Sequence, residues 1–227
     1  MTEIRPEIRI IKKGKLCHIV GKDNRLLRFK PWLGDSFAFL YDFIMSRSIF
    51  PKKFGGDIEK HYQTLSEEFA AMRGKRVLEL GTGSGSAVHF LGSDNDYTGS
   101  DVSPGLLKQA AQRFAAAGFA NPEFYVAGAD DLPFAGAVFD ICLCILSMNF
   151  VGNIEKVFQE ISRVLLPGGR FVCSVPVPER NKLQSTIRGV LYSEAEYDTL
   201  CRKHGFKFES IPCENGALLY FRAIKQA

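Results

Sequence analysis

The sequence lacks any apolar run that approaches the roughly 20 residues needed to cross a bilayer. Its longest apolar run centres on residues 141–146. The first residues alternate charge with isoleucine and lack the apolar core of a signal peptide. The six cysteines include no C-x-x-C pair. We therefore expect a cytoplasmic protein with reduced thiols, no bound metal and no membrane insertion.

The composition carries no sign of a disordered or fibrous protein. Of the 227 residues, 46% are hydrophobic and 24% are charged, which are ordinary values for globular domains. A chain of this length buries roughly 70% of its extended surface and needs neither a disulfide nor a metal to fold. We expect one large domain, or one domain with an appendage.

Positive charge is concentrated near the N-terminus. Residues 5–30 hold nine Lys or Arg against Glu7 and Asp23, whereas the whole chain has a net charge of only +4. Such a cluster is compatible with an anionic partner such as RNA. The alternative is a short hairpin whose lysines discourage pairing between sheet edges.

From residue 76 onward, strand-like and helix-like stretches alternate, which indicates an α/β fold with a mainly parallel sheet. Ser103 before Pro104 predicts the start of one helix, and Asn153 that of another. Ser193 with Glu196 predicts a capping box. Strands are predicted at 76–80, 97–101, 123–128, 139–146 and 170–177, followed by an antiparallel pair at 207–211 and 218–224. Residues 86–91 are predicted as helix, and Pro167-Gly168-Gly169 as a break.

The N-terminal 75 residues do not follow this alternation. Residues 9–29 resemble short strands, and residues 57–72 have the apolar spacing of an amphipathic helix. Tyr62 falls on the apolar stripe of that helix, whereas His61 is expected to face solvent. We interpret the segment as a cap over the ligand-binding edge of the sheet. The predicted division is a basic hairpin and aromatic cap at 1–57 and a main domain at 58–227.

A glycine-rich loop at residues 79–85, Glu-Leu-Gly-Thr-Gly-Ser-Gly, follows the first predicted strand of the sheet. Ligands bind at this end of parallel strands, and glycines without a Cβ let the backbone approach them closely. A dinucleotide fingerprint would need a third glycine at the position of Ser86. The glycine spacing therefore argues against a nicotinamide-dependent reductase.

Two carboxylates refine the expected ligand of this loop. Glu79, just ahead of the loop, would repel a pyrophosphate and attract a cation. Asp101, at the end of the second strand, is placed to accept hydrogen bonds from both ribose hydroxyls. Together they predict a site for an adenosine that carries a positive group and no phosphate.

Five motifs in order, VLELGTGSG, YTGSDVSPGLL, ADDLPF, FDICLCIL and RVLLPGG, resemble those of the class I S-adenosylmethionine-dependent methyltransferases. The resemblance covers residues 58–224 and is greatest to the small-molecule branch that includes quinone-biosynthesis enzymes. It implies a Rossmann-like, doubly wound, seven-stranded sheet, mostly parallel with one antiparallel strand. It also implies S-adenosylmethionine as cofactor and a small molecule as methyl acceptor.

The resemblance also implies roles for individual residues. Glu79 and the Gly81 and Gly83 backbone would hold the methionine part, Asp101 the ribose, and Val102 would pack on the adenine. Gly128 stands where relatives have an aspartate that binds the adenine amino group, so Asp130, Asp131 or water would replace it. Ile145 and Leu146 would border the sulfonium. The full predicted set is Glu79, Gly81, Thr82, Gly83, Gly85, Asp101, Val102, Ser103, Ala129, Asp130, Asp131, Ile145 and Leu146.

The catalytic machinery is expected to be sparse. Methyl transfer from a sulfonium disperses charge, so alignment and exclusion of water supply most of the acceleration. Where relatives often carry a histidine pair, this chain has Asn149 and Phe150, so a strong general base is missing there. Asn149 and Tyr41 are the predicted catalytic residues, Asn149 through its amide.

The acceptor pocket is the least defined part. The aromatic residues of 32–43, namely Trp32, Phe37, Phe39, Tyr41 and Phe43, would form either an apolar pocket for a planar or lipophilic acceptor or ordinary core. Two alternative functions remain: RNA methylation through the basic segment, and cofactor binding without catalysis. The sequence does not define the methylated atom or the oligomeric state.

Overall fold

The computed structural model describes residues 2–21, 23–27, 29 and 41–226, with the side chains of Tyr41 and Asp42 outside the description. The strands are β1 (Arg9–Lys13), β2 (Leu16–Val20), β3 (Arg76–Leu80), β4 (Asp96–Asp101), β5 (Glu123–Val126), β6 (Phe139–Ile145), β7 (Leu165–Pro176), β8 (Phe206–Ser210) and β9 (Leu218–Lys225). The helices are α1 (Tyr41–Ile44), which continues as a wide π-type helix (Met45–Phe54), α2 (Ile58–Phe69), α3 (Pro104–Ala116), α4 (Ile154–Val164) and α5 (Glu194–Lys203).

All described strands belong to one sheet, in the order β1-β2-β5-β4-β3-β6-β7-β9-β8. Strands β5, β4, β3, β6 and β7 run parallel to one another, and β9 lies antiparallel to both β7 and β8. The α/β class with a mostly parallel, doubly wound sheet is confirmed. The strand count is not, because the sheet has nine strands in place of the predicted seven.

The two additional strands are the N-terminal hairpin. β1 pairs antiparallel with β2, and β2 pairs in parallel with β5 through Leu16 and Phe124. Leu16 and Ile19 are buried, whereas the lysines of the hairpin are exposed. The hairpin therefore extends the edge of the sheet, and the interpretation of this part as a cap is wrong. The division at residue 57 stays a prediction, as does an RNA partner.

Helices cover both faces of the sheet and create two apolar clusters. One cluster includes Val157 and Phe158 of α4 and Leu200 of α5. The other includes Leu65 of α2 and Leu107 of α3. The predicted caps set the helix starts, since the side chains of Ser103 and Asn153 accept backbone N–H groups and Ser193 with Glu196 forms the capping box.

Two local predictions fail. Residues 86–91 form only a short 3-10 turn (Ser86–His89) in place of a full helix. The helix α4 does end before the Pro-Gly-Gly sequence at 167–169, but β7 begins at Leu165 and not at Arg170. The pairing of β6 with β7 passes from Leu165 to Arg170 and leaves the intervening residues in a bulge. Gly168, at φ +74°, turns the backbone there.

Among the residues that the structure describes, no helix is long and apolar enough to cross a membrane.

Candidate active site

The glycine loop is tied to the neighbouring strand by its own backbone. The N–H groups of Gly81 and Thr82 both donate to the Ser100 carbonyl, at 2.8 and 3.1 Å. Gly81, Gly83 and Gly85 have φ of +68°, +56° and +89°, in the region that favours glycine. A Cβ on Gly83 would have Gly81 O as its nearest neighbour, at 3.9 Å. Open space therefore lies over the middle of the loop.

Asp101 is joined to this loop. Its Oδ2 accepts the Gly83 N–H at 2.9 Å, and its Oδ1 accepts the Ser103 N–H at 2.9 Å. The half-buried carboxylate thus stands at the end of β4, beside the loop. Val102 follows with its side chain exposed, and Ser103 is buried as the cap of α3.

The loop amides are largely used within the protein. Gly83 donates to Asp101, Gly85 donates to the Thr82 carbonyl, and the N–H groups of Gly81 and Thr82 donate to β4. A ligand at this loop therefore meets carbonyl oxygens and open space in place of these four N–H groups. Carbonyl oxygens suit a cationic group such as an ammonium.

Glu79 is a buried acid at the end of β3. Its carboxylate accepts a hydrogen bond from the Tyr97 hydroxyl. Burial raises the pKa of Glu79 to about 8, the Tyr97 bond opposes this rise, and the negative charge of Asp101 adds to it. A cation placed in the site would favour the charged form of Glu79 and lower its pKa again.

Loop, strand ends and cap meet at one cleft. Six of its lining residues are in the predicted cofactor-binding set: Glu79, Gly81, Thr82, Gly83, Ile145 and Leu146. The opposite wall is supplied by Met45, Phe50, Ile58, His61 and Tyr62 from the π-type helix and α2. Leu146 has a φ of +56°, and such strain in a residue with a side chain is typical of functional sites.

The end of β5 lies beside that of β4, with Asp101 paired to Val126. Ala129 is half-buried and Asp130 exposed. A Cβ on Gly128 would lie only 2.8 Å from Asp130 Oδ1, so the Asp130 carboxylate stands beside the position of the absent side chain. Asp131 is paired instead with Arg5, at 2.6 Å.

Of the two predicted catalytic residues, the structure describes the side chain of Asn149 alone. Asn149 is buried and donates its amide to the Arg188 carbonyl at 2.7 Å, while its Oδ1 has no partner in the described part of the chain. It does not line the cleft. The Tyr41 side chain lies outside the described residues, as do Trp32, Phe37 and Phe39, so these predictions stay predictions.

Sequence reasoning placed the helix at 57–72 over the ligand-binding edge but gave His61 the wrong orientation. His61 was expected to face solvent, but it is only 2% exposed and lines the cleft. This expectation is wrong because α2 buries a wider face than a single stripe. Position 61 is three residues after Ile58 and four before Leu65, a helical spacing that would have placed it on the apolar face. Tyr62 also lines the cleft, against the expectation of a core residue.

Comparison with known proteins supports the resemblance. Residues 78–173 match the family model described as a methyltransferase domain. A ubiquinone/menaquinone biosynthesis C-methyltransferase of Desulfotalea psychrophila is 35% identical over 106 residues, which are 45% of this chain and 42% of that protein. A fatty-acid O-methyltransferase of Mycolicibacterium smegmatis is 33% identical over 118 residues, 51% of this chain and 41% of that protein. The chain thus spans less than half the length of these curated relatives.

A solved structure shows the same fold over most of the chain. A SAM-dependent methyltransferase of Thermotoga maritima, described as a possible histamine N-methyltransferase, superposes with a TM-score of 0.62. The match covers 85% of this chain and 98% of that one at 20% identity. The fold predicted from the motifs, with the family resemblance, is confirmed.

Proposed function

We propose that this chain, whose residues 78–173 match the methyltransferase-domain model, transfers a methyl group from S-adenosylmethionine to a small-molecule acceptor by direct in-line displacement. The observation that carries the proposal is the cleft in which Glu79 and the open side of Gly83 lie together, with Asp101 bound to the same loop. The acceptor is planar or lipophilic, in keeping with the relatives' names, which refer to quinone and fatty-acid substrates.

The residues present fit the cofactor at three places. Glu79 and the loop carbonyls would hold the ammonium of the methionine part. Asp101, at the end of β4, would hold the ribose, and the exposed Val102 would cover the adenine. When bound, the cofactor supplies an electrophilic methyl group on a sulfonium. The chain supplies a site in which Phe50, Ile145 and Leu146 exclude water.

Catalysis by this chain would depend on alignment more than on proton transfer. No strongly basic side chain lines the described cleft, because burial lowers the pKa of its only histidine, His61, to about 3. For Asn149 we propose a role in fixing the loop around Arg188. Its side-chain Nδ2 donates a hydrogen bond to the Arg188 carbonyl, and its backbone carbonyl accepts one from the Val190 N–H. The half-buried, strained Leu146 would border the reacting methyl.

Calorimetry with S-adenosylhomocysteine tests the proposal. We expect the folded protein to bind this product cofactor with a dissociation constant in the micromolar range, about −8 kcal/mol. Labelled methyl transfer to a panel of quinols, phenols and fatty acids then separates an enzyme from a protein that only binds cofactor. Absence of binding by folded protein would refute the proposal.

Asp130 and Asp131 provide a matched pair for the adenine contact. We propose that Asp130 replaces the aspartate absent at position 128, since its carboxylate stands at that position, whereas Asp131 is paired with Arg5. Asp130→Asn should weaken S-adenosylhomocysteine binding by about tenfold, because the amide oxygen still accepts but has lost the charge that strengthens such a hydrogen bond. Asp131→Asn should leave the affinity within about twofold, because exposed ion pairs contribute little. Equal effects of the two variants would contradict the assignment.

A further inference from the structure

His61 is held by a hydrogen-bond chain whose direction can be assigned from its end. Asn215 Oδ1 accepts the Asp57 N–H at 2.7 Å, and its Nδ2 donates to the Asp57 carbonyl at 2.9 Å. Because a backbone N–H only donates and a carbonyl only accepts, the orientation of the Asn215 amide is fixed. The same Nδ2 therefore also donates, at 3.0 Å, to the Tyr220 hydroxyl.

The Tyr220 hydroxyl determines which hydrogen-bonding role His61 Nδ1 has. It accepts from Asn215, so its own proton goes to its other neighbour, His61 Nδ1, at 2.9 Å. Nδ1 is then an acceptor. Because burial lowers the pKa of His61 to about 3, the imidazole is neutral and carries its single proton on Nε2.

The Nε2–H group is turned to the cleft. All side-chain hydrogen bonds of His61 within the described residues run through Nδ1, and Nε2 is not among the buried atoms that lack a partner. The side chain is 2% exposed and lines the cleft. A ligand in the cleft, which Glu79 also lines, can therefore reach the His61 ring at Nε2.

Among the described lining side chains, this is the one ring N–H donor, beside the hydroxyls of Tyr62, Ser84 and Ser86. An α-amino acid has an ammonium and a carboxylate on one carbon. Glu79 and the loop carbonyls suit the ammonium, but Gly81, Thr82, Gly83 and Gly85 already donate their N–H groups within the protein. Neither arginine nor lysine lines the described cleft. A carboxylate at this place is left with side-chain donors, of which the His61 N–H is held in a fixed direction by Tyr220.

We propose that the Nε2–H of His61 binds the carboxylate of the cofactor's methionine part, so that His61 and Glu79 together select an intact α-amino acid. The inference rests on the proposed function and adds the residue that recognises the carboxylate. Asn215 and Tyr220 act as positioning residues, because they hold the ring and fix the nitrogen that bears the proton.

Two ligands and three variants test this by calorimetry. S-adenosylhomocysteine carries the carboxylate, whereas 5′-methylthioadenosine keeps the nucleoside and lacks the amino acid. His61→Asn can keep the Tyr220 bond at the Nδ1 position but removes the Nε2 donor, and His61→Gln places an amide N–H near Nε2. Tyr220→Phe keeps the histidine but removes the hydroxyl that fixes its tautomer.

We expect His61→Asn to weaken the binding of S-adenosylhomocysteine by tenfold or more, as for a lost hydrogen bond to a charged group. The affinity for 5′-methylthioadenosine should stay within about twofold of the wild-type value. His61→Gln should recover part of the loss, and Tyr220→Phe should show a smaller loss for the first ligand alone. A His61→Asn protein that loses both ligands equally, or neither, overturns the inference. Wild-type protein that binds neither ligand refutes the proposed function instead.

Discussion

Replacing Glu79 with glutamine is expected to stabilise the ligand-free protein at pH 8 and to weaken cofactor binding. The buried carboxyl has its pKa raised from 4.5 to about 8, so the folded state holds its proton more tightly than the unfolded state. Stability is then highest below pH 4.5 and falls as the pH rises toward 8. Each pH unit within this window costs about 1.4 kcal/mol. Glutamine has no charge to bury and still accepts from Tyr97.

Urea unfolding of both proteins at pH 6 and pH 8 measures this difference. We expect the advantage of Glu79→Gln to grow by roughly 2 kcal/mol between the two pH values. Binding should change in the opposite sense, with S-adenosylhomocysteine at least tenfold weaker for the variant at pH 8. The exposed Glu59→Gln is the control for loss of one negative charge. Parallel pH dependences of wild type and variant would contradict the buried-acid explanation.

Two glycines of one loop should respond to alanine in opposite ways. At Gly85, a Cβ would approach Ala110 Cα of α3 to 2.8 Å, at a φ of +89°. Left-handed strain of about 1–2 kcal/mol and overpacking of about 1–3 kcal/mol should together lower the free energy of unfolding by about 3 kcal/mol. At Gly83, where a Cβ meets open space, the cost should be only about 1–2 kcal/mol.

The methyl group of Gly83→Ala also enters the space over the loop, which a bound ligand would occupy. We therefore expect this variant to bind S-adenosylhomocysteine at least tenfold more weakly. Gly85→Ala, measured at a temperature where it is folded, should bind nearly as wild type. Urea titration and calorimetry on both variants give the four values needed. A stable, fully binding Gly83→Ala would show that the ligand does not lie over this loop.

The elements of the central sheet could be predicted because the signals for each strand and helix lie within its own short stretch of sequence. The apolar run of β3, the N-caps Ser103 and Asn153, and the capping box at Ser193 each define an element from a few neighbouring residues. The pairing of the hairpin with β5 joins residues over 100 positions apart, Leu16 and Phe124. No local pattern specifies such a pairing, which explains why short strands were predicted here but not their place in the main sheet.

The candidate site shows the same limit. The glycine spacing and Glu79 predicted the loop, since both lie in one short stretch of sequence. The spacing of α2 indicates the burial of His61, but the partner of its Nδ1 is Tyr220, 159 positions away. The place of Asp130 beside Gly128 depends on how the chain turns after β5. Side-chain roles in cofactor binding stay predictions until the ligand measurements are made.

The insertion of β9 between β7 and β8 has a consequence for synthesis. Tyr220 belongs to β9, and Asn215 lies just before it. A nascent chain emerging from the ribosome exposes its N-terminal parts first, so α2 leaves the exit tunnel long before the strand that orients its histidine. Until then β7 keeps an unpaired edge, which is an aggregation risk. Competence to bind an amino-acid cofactor would therefore arise only after β9 has been synthesised and has paired with β7.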